Sequence, residues 1–129
     1  MTLSFRDLEE SINFCTNVLD FRLLAKWMKG AYLSVGDIWL ALILDEKVRE
    51  SPIPEYTHIG LTVSIEDFPI LSQRIQQSGV KIWQKNKSEG ASLYFLDPND
   101  HKLEIYASDL NTRIKSARTS PWEGLEFFI

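Results

Sequence analysis

Residues 81–106, KIWQKNKSEGASLYFLDPNDHKLEIY, decide how the rest of the chain is read. Two runs rich in strand formers, Leu93-Tyr94-Phe95-Leu96 and Leu103-Glu104-Ile105-Tyr106, flank the turn cluster Asp97-Pro98-Asn99-Asp100. That is the pattern of a hairpin, entered through a polar Ser/Gly loop. Successive strand residues face opposite ways, so Leu103 and Ile105 point to one side and Glu104 to the other. A carboxylate on an inner face needs a partner. The candidate by type is His58, within the strand-like run Tyr56-Thr57-His58-Ile59-Gly60-Leu61, and the two together read as two thirds of a metal site.

Outward from this hairpin, one order of elements occurs twice. In the second half, Tyr56 to Ser64 predicts a strand. Glu66 to Ser78 predicts a helix with Phe68, Leu71 and Ile75 on one face and Gly79 as its stop. Lys81 to Lys85, Ala91 to Leu96 and Lys102 to Ala107 predict three more strands. In the first half, Thr2-Leu3-Ser4-Phe5 alternates as a strand. Asp7 then caps a helix with Glu10 three residues on, and Leu8, Ile12, Cys15 and Leu19 mark its apolar face as far as Asp20. Strands follow over Phe21 to Met28, Ala31 to Val35 and Ile38 to Leu44; the last is apolar on both faces and reads as central and covered. Residues 46–55, EKVRESPIPE, are charged and carry Pro52 and Pro54, which suits an exposed connection. The expected fold is α+β: two βαβββ modules of mixed sheet, about 1–45 and 56–107, and a tail helix within 108–119.

At 129 residues and 14.9 kDa the chain is one domain with room for a full core. A net charge of −4 disfavours nucleic acid as the main partner, because phosphate binding needs a clustered basic face. The single cysteine, Cys15, excludes an internal disulfide and lies on the apolar face of the first helix, where a buried thiol is the simplest role. With no apolar leader and no membrane-length apolar run, the expected location is the cytoplasm.

The duplication allows an internal test. Laying Thr2-Leu3-Ser4-Phe5 over Gly60-Leu61-Thr62-Val63 puts Met1 on Ile59 and sets His58 against the position before the first residue. A matching histidine in the first copy would stand just upstream of Met1; either this methionine is internal to the gene or the residue is lost.

The paired modules resemble the vicinal oxygen chelate superfamily of glyoxalase I and the bleomycin-binding proteins. Asp20-Phe21-Arg22-Leu23, Gly30-Ala31-Tyr32-Leu33, Ile38-Trp39-Leu40, Tyr56-Thr57-His58, Asn86-Lys87-Ser88-Glu89-Gly90-Ala91-Ser92 and Tyr94-Phe95-Leu96-Asp97-Pro98 resemble the fosfomycin-resistance glutathione transferases nearly end to end. The resemblance implies cupped sheets, a homodimer with cups shared between chains, and a divalent ion, usually manganese, on two histidines and a glutamate. His58 and Glu104 match two of these ligands; the first histidine falls before Met1. It further implies potassium in the loop of Asn86, Ser88, Gly90 and Ser92. Phosphonate contacts are implied at Thr2, Ser88, Ser92, Tyr94 and Arg113, packing against the epoxide at Trp39, and a tyrosine beside the incoming thiol at Tyr32. A lysine of that substrate site falls on Gln84, and Lys85 faces the other way.

The reaction so implied is opening of a phosphonate epoxide by glutathione, with the metal as Lewis acid. Blander roles stand beside each assignment. Glu104 could be an edge carboxylate, Ser88 and Ser92 turn formers, Arg113 a partner for Asp109, and His101 a structural hydrogen bonder by the turn. Trp27, Trp83 and Trp122 read as core or interface aromatics. Two alternatives remain: another enzyme of the same fold, such as a lyase or dioxygenase, and a non-catalytic drug-binding protein.

Overall fold

In the computed structural model of the chain, which describes residues 1–86 and 90–129, the repeated order becomes two four-stranded mixed sheets of the same topology. Sheet one comprises β1 (Thr2–Phe5), β2 (Arg22–Trp27), β3 (Gly30–Val35) and β4 (Ile38–Leu44), ordered β1-β4-β3-β2 with β1 parallel to β4. Sheet two comprises β5 (Ile59–Thr62), β6 (Ile82–Gln84), β7 (Ser92–Leu96) and β8 (Lys102–Tyr106), ordered β5-β8-β7-β6 with β5 parallel to β8. Each parallel pair is bridged by a helix: α1 (Leu8–Asn13) in module one and α2 (Phe68–Gln77) in module two. The tail helix is α3 (Leu110–Thr119).

The capping residue predicted for α1 is in place: the Asp7 side chain accepts from the backbone N–H of Glu10 at 3.1 Å. The helix then widens into a π-helical turn over Phe14–Val18. Thr16 Oγ1 donates back to the carbonyl of Ile12 at 2.9 Å, a bond that loosens a helical ladder. Residue parity in the strands matches the burial. Leu3, Phe5, Ala31, Leu33, Leu40 and Leu42 turn toward the core from sheet one, and Leu61, Leu93, Phe95, Leu103 and Ile105 from sheet two, all in one cluster with Phe14 and Ile75.

The internal alignment holds in the register. Ala41 of β4 lies between Thr2 and Tyr32, and Glu104 of β8 lies between Gly60 and Tyr94. The row Thr2-Ala41-Tyr32 therefore corresponds to Gly60-Glu104-Tyr94, and module one has alanine where module two has its carboxylate.

The hairpin turn joins the modules. Asp97 accepts from the N–H groups of Asn99 and His101 at 2.8 and 2.9 Å and pairs with His101 Nδ1 at 2.6 Å. Asn99, 2% exposed, donates to Ser11 Oγ and accepts from the Arg6 N–H, both at 3.0 Å. The turn is thus bonded to the first helix and the end of the first strand.

Two expectations need correction. The strand predicted from Tyr56 starts only at Ile59, because the Tyr56 carbonyl accepts from its own neighbour His58 at 2.9 Å, leaving His58 just ahead of the strand. β4 is central, but only one of its faces is covered: Trp39 is 61% exposed and Ile43 is also open. Alternation sends Leu40 and Leu42 inward and leaves Trp39, Ala41 and Ile43 on the opposite, more open face.

Candidate functional site

The concave face of sheet two forms one wall of a cleft of about 370 Å³, lined by Tyr56, His58, Ser92, Tyr94, Glu104, Tyr106 and, from the side of α3, Asp109 and Arg113 among others. His58 and Glu104 meet there: His58 Nε2 lies 2.9 Å from Glu104 Oε1, with both side chains mostly withdrawn from water.

The protons of this pair can be assigned from chemistry. His58 Nδ1 faces the Tyr56 carbonyl at 2.9 Å, and a carbonyl only accepts, so Nδ1 carries a hydrogen. In the neutral ring Nε2 is then a bare lone pair, directed at a carboxylate oxygen that is also an acceptor. Two acceptors at this distance repel unless a proton or a cation is shared between them. A histidine with one nitrogen fixed by a backbone carbonyl and the other presented beside a carboxylate is the arrangement of a metal ligand with its outer support. The donor set, one imidazole nitrogen and one carboxylate oxygen, fits a divalent ion such as Mn2+ that completes its shell with water or substrate. Among the described residues, no third histidine, cysteine or carboxylate joins them.

Rings hold the imidazole in place. Tyr56, Trp83 and Tyr94 lie 5.0, 5.1 and 5.8 Å from it, centroid to centroid. Trp83 is fixed by its own N–H, which donates to the Leu103 carbonyl at 3.1 Å, beside Glu104. On the other side of the carboxylate, Ser92 Oγ donates to Glu104 Oε2 at 2.8 Å. Gly60 leaves the space opposite: a β-carbon there would stand 3.1 Å from the Tyr106 ring and 3.8 Å from Glu104 Oε1.

Arg113 reaches the cleft because Asp109 starts α3 there, its carboxylate accepting from the Thr112 N–H at 2.7 Å. That hydrogen bond holds the Asp109 carboxyl below its ordinary range. Gln84 sits at the rim, where its amide donates to the Tyr56 hydroxyl at 3.2 Å. In the loop before β7, Asn86 Nδ2 donates to the Gly90 carbonyl at 2.8 Å, and Gly90 takes a positive φ of 81°. Ser88 lies outside the described residues.

Thr2, Tyr32 and Trp39 are elsewhere, on the open face of sheet one. Tyr32 stacks edge-on between Trp27 at 4.8 Å and Trp39 at 5.2 Å, and none of the three predicted residues lines the cleft of sheet two. One chain thus divides the predicted residues between its two sheets. Cys15 is outside both; burial, with the negative charge of Asp97, pushes its thiol up to about 12. His101 is also outside, paired with Asp97.

Tyr56, Trp83 and Tyr106 were missed as site residues by sequence reasoning. Tyr106 had a signal, since it stands two residues beyond Glu104 on the same face. Trp83 had none: only the antiparallel pairing of β6 with β7 carries it to His58.

Comparison with known proteins agrees with this geometry. The family model "Glyoxalase/Bleomycin resistance protein/Dioxygenase superfamily" matches residues 1–105. The chain is 47% identical over 129 residues to the glutathione transferase FosA of Serratia marcescens, covering 98% of this chain and 92% of that protein. It is 35% identical over 118 residues to the metallothiol transferase FosB of Lysinibacillus sphaericus (strain C3-41), covering 88% and 84%. Among solved structures, the fosfomycin resistance protein FosX from Mesorhizobium loti superposes with a TM-score of 0.74 at 30% identity, covering 88% of this chain and 93% of that one. With the duplicated fold, the paired imidazole and carboxylate, and these relatives in agreement, the chain belongs to the glyoxalase/bleomycin resistance/dioxygenase superfamily, among its thiol transferases.

Proposed function

We propose that this protein is a metal-dependent glutathione transferase that opens the epoxide of a small phosphonate antibiotic of the fosfomycin type. The observation that supports this best is the pair at 2.9 Å, a histidine whose Nδ1–H donates to the Tyr56 carbonyl and whose Nε2 faces Glu104. His58 and Glu104 would hold Mn2+, which when bound supplies Lewis acidity to the phosphonate and epoxide oxygens. In the reaction the glutathione sulfur forms a bond to an epoxide carbon, that carbon's bond to oxygen breaks, and the oxygen gains a proton matching the one the thiol loses.

The chain's own residues bind and orient. The Arg113 guanidinium, held at the cleft by the capped α3, presents two parallel N–H donors to phosphonate oxygens. Tyr94, opposite Glu104 in the ladder, offers its hydroxyl to the same group. Asn86, Ser88, Gly90 and Ser92 are assigned to a potassium ion, which would offset the substrate's negative charge. Thr2 as a further phosphonate donor, Tyr32 beside the thiol and Trp39 against the epoxide carbons require the open face of sheet one to close over the cleft of sheet two. In this reading that closure comes from a second copy of the chain in a homodimer. It would also cover the apolar face that β4 leaves exposed.

The test is formation of the glutathione adduct of fosfomycin by the purified protein, followed by mass spectrometry with Mn2+ and K+ present. Adduct that disappears on chelation supports the proposal; no adduct with metal bound overturns it. One feature favours the alternative of a drug-sequestering protein: Gln84, bonded to Tyr56, is neutral where the resembled enzymes have a lysine. Fosfomycin binding by calorimetry without turnover would select that reading.

A further inference from the structure

Glu104 is held from both ends, and the two restraints are of different kinds. His58 stands two residues before Gly60, the ladder partner of Glu104 in β5, whereas Ser92 pairs with Tyr106, two residues after Glu104. Both neighbours are therefore diagonal to the glutamate, one on each flank. Diagonal residues in a sheet lie roughly 7–8 Å apart, too far for a direct bond unless a long side chain leans toward the short one. Glu104 has the length, and Gly60 leaves the room. Its Oε2 reaches Ser92 Oγ at 2.8 Å while Oε1 is directed at His58 Nε2 at 2.9 Å.

A serine hydroxyl has one hydrogen. Its donation to Glu104 Oε2 means that Ser92 cannot at the same time donate to a phosphonate oxygen. The bond also makes the two carboxylate oxygens inequivalent: Oε2 is occupied as an acceptor, and Oε1 is the one left to face the imidazole and whatever cation they share. We infer that Ser92 is a positioning residue, acting through Glu104, that fixes the carboxylate so that Oε1 and His58 Nε2 form a preset two-donor site for a divalent ion. This rests on the divalent-metal reading of His58 and Glu104. It gives Ser92 a role in the outer support of Glu104 beside its place in the proposed potassium loop.

The distinguishing experiment is titration of the full chain with Mn2+ alone, in the absence of phosphonate and thiol, with free Mn2+ read by electron paramagnetic resonance. Three proteins are compared: wild type, Ser92→Ala and Ser92→Thr. Loss of an outer-shell hydrogen bond to a ligand weakens metal binding by about 10- to 100-fold, and Ser92→Ala is expected in that range. Ser92→Thr keeps the hydroxyl, suits a strand, and is expected within about threefold of wild type. Melting curves without metal establish that both variants fold. A role confined to substrate contact leaves the Mn2+ affinity of Ser92→Ala unchanged, and that result overturns the inference while the metal reading stands. Failure of the wild type to bind Mn2+ overturns both.

Discussion

At the scale of single residues, charge and hydrogen count decide what the cleft can do. Glu104→Gln keeps length and an acceptor for Ser92 but removes the negative charge, so the donor pair loses its attraction for a divalent ion. Mn2+ affinity, measured by the same resonance titration, is expected to fall by about 100-fold or more, beyond the usual cost of losing an outer-shell partner. Cys15 makes the opposite case. Its thiol, held to about 12 by burial and by Asp97, is protonated at neutral pH and enclosed in the core. Native protein is expected to react with a disulfide reagent at pH 8 only at the rate at which it unfolds, with full reaction on adding denaturant. Because the folded value lies above the ordinary 9.0, burial of the neutral thiol favours the fold below pH 9, and that contribution declines as pH rises from 9 toward 12. A denaturation series across this interval checks the sign, with Cys15→Ala as the variant lacking this titration.

At the scale of elements, one close backbone approach and one side-chain cap govern two positions. Gly30 opens β3 where an added β-carbon would stand 2.6 Å from the Leu42 carbonyl and 2.6 Å from the Trp27 ring. The carbonyl belongs to the neighbouring strand's backbone and cannot yield without parting β3 from β4. Gly30→Ala is expected to destabilise by about 1–3 kcal/mol in urea denaturation, with altered tryptophan fluorescence as Trp27 moves. The start of α3 depends on Asp109, whose carboxyl is held low mainly by the backbone N–H of Thr112. Its support for the helix is present above the ordinary aspartate range and is lost as pH falls below it. Asp109→Ala is expected to raise the KM for phosphonate several-fold by releasing Arg113, while Asp109→Asn, which still accepts that bond, stays near wild type. Much of this level was legible in sequence. The cap at Asp7, the hairpin turn and the two βαβββ orders follow from local chemistry and alternation. The start of β5 was not legible, because it depends on the Tyr56 carbonyl being taken by a side chain rather than by a neighbouring strand.

At the scale of the whole molecule, the two modules share a topology but differ in the side chains at equivalent positions. Equivalent rows read Thr2-Ala41-Tyr32 and Gly60-Glu104-Tyr94, so the row in module one has no carboxylate while the row in module two has Glu104, which pairs with His58. If the halves work together across two copies, defects in different halves must complement. Glu104→Gln and a Thr2→Ala/Tyr32→Phe double variant, each with impaired turnover alone, are expected to recover about a quarter of wild-type activity when unfolded, mixed and refolded together, since one cup in four is then intact. Equilibrium sedimentation is expected to give twice the chain mass of 14.9 kDa. A monomer with undiminished activity would refute the shared cup.

The sequence by itself determined the duplicated α+β fold and the parity of its strands, and it pointed to His58 and Glu104 as neighbours, because alternation, capping and turn chemistry are local and written in neighbouring residues. Only the tertiary structure decided that His58 is held by its own chain's carbonyl, that Trp83 backs it, that Ser92 turns to Glu104 and that Thr2, Tyr32 and Trp39 lie on a separate face. Those facts depend on which strands become neighbours and on how far side chains lean across them, and residue spacing along the chain contains neither.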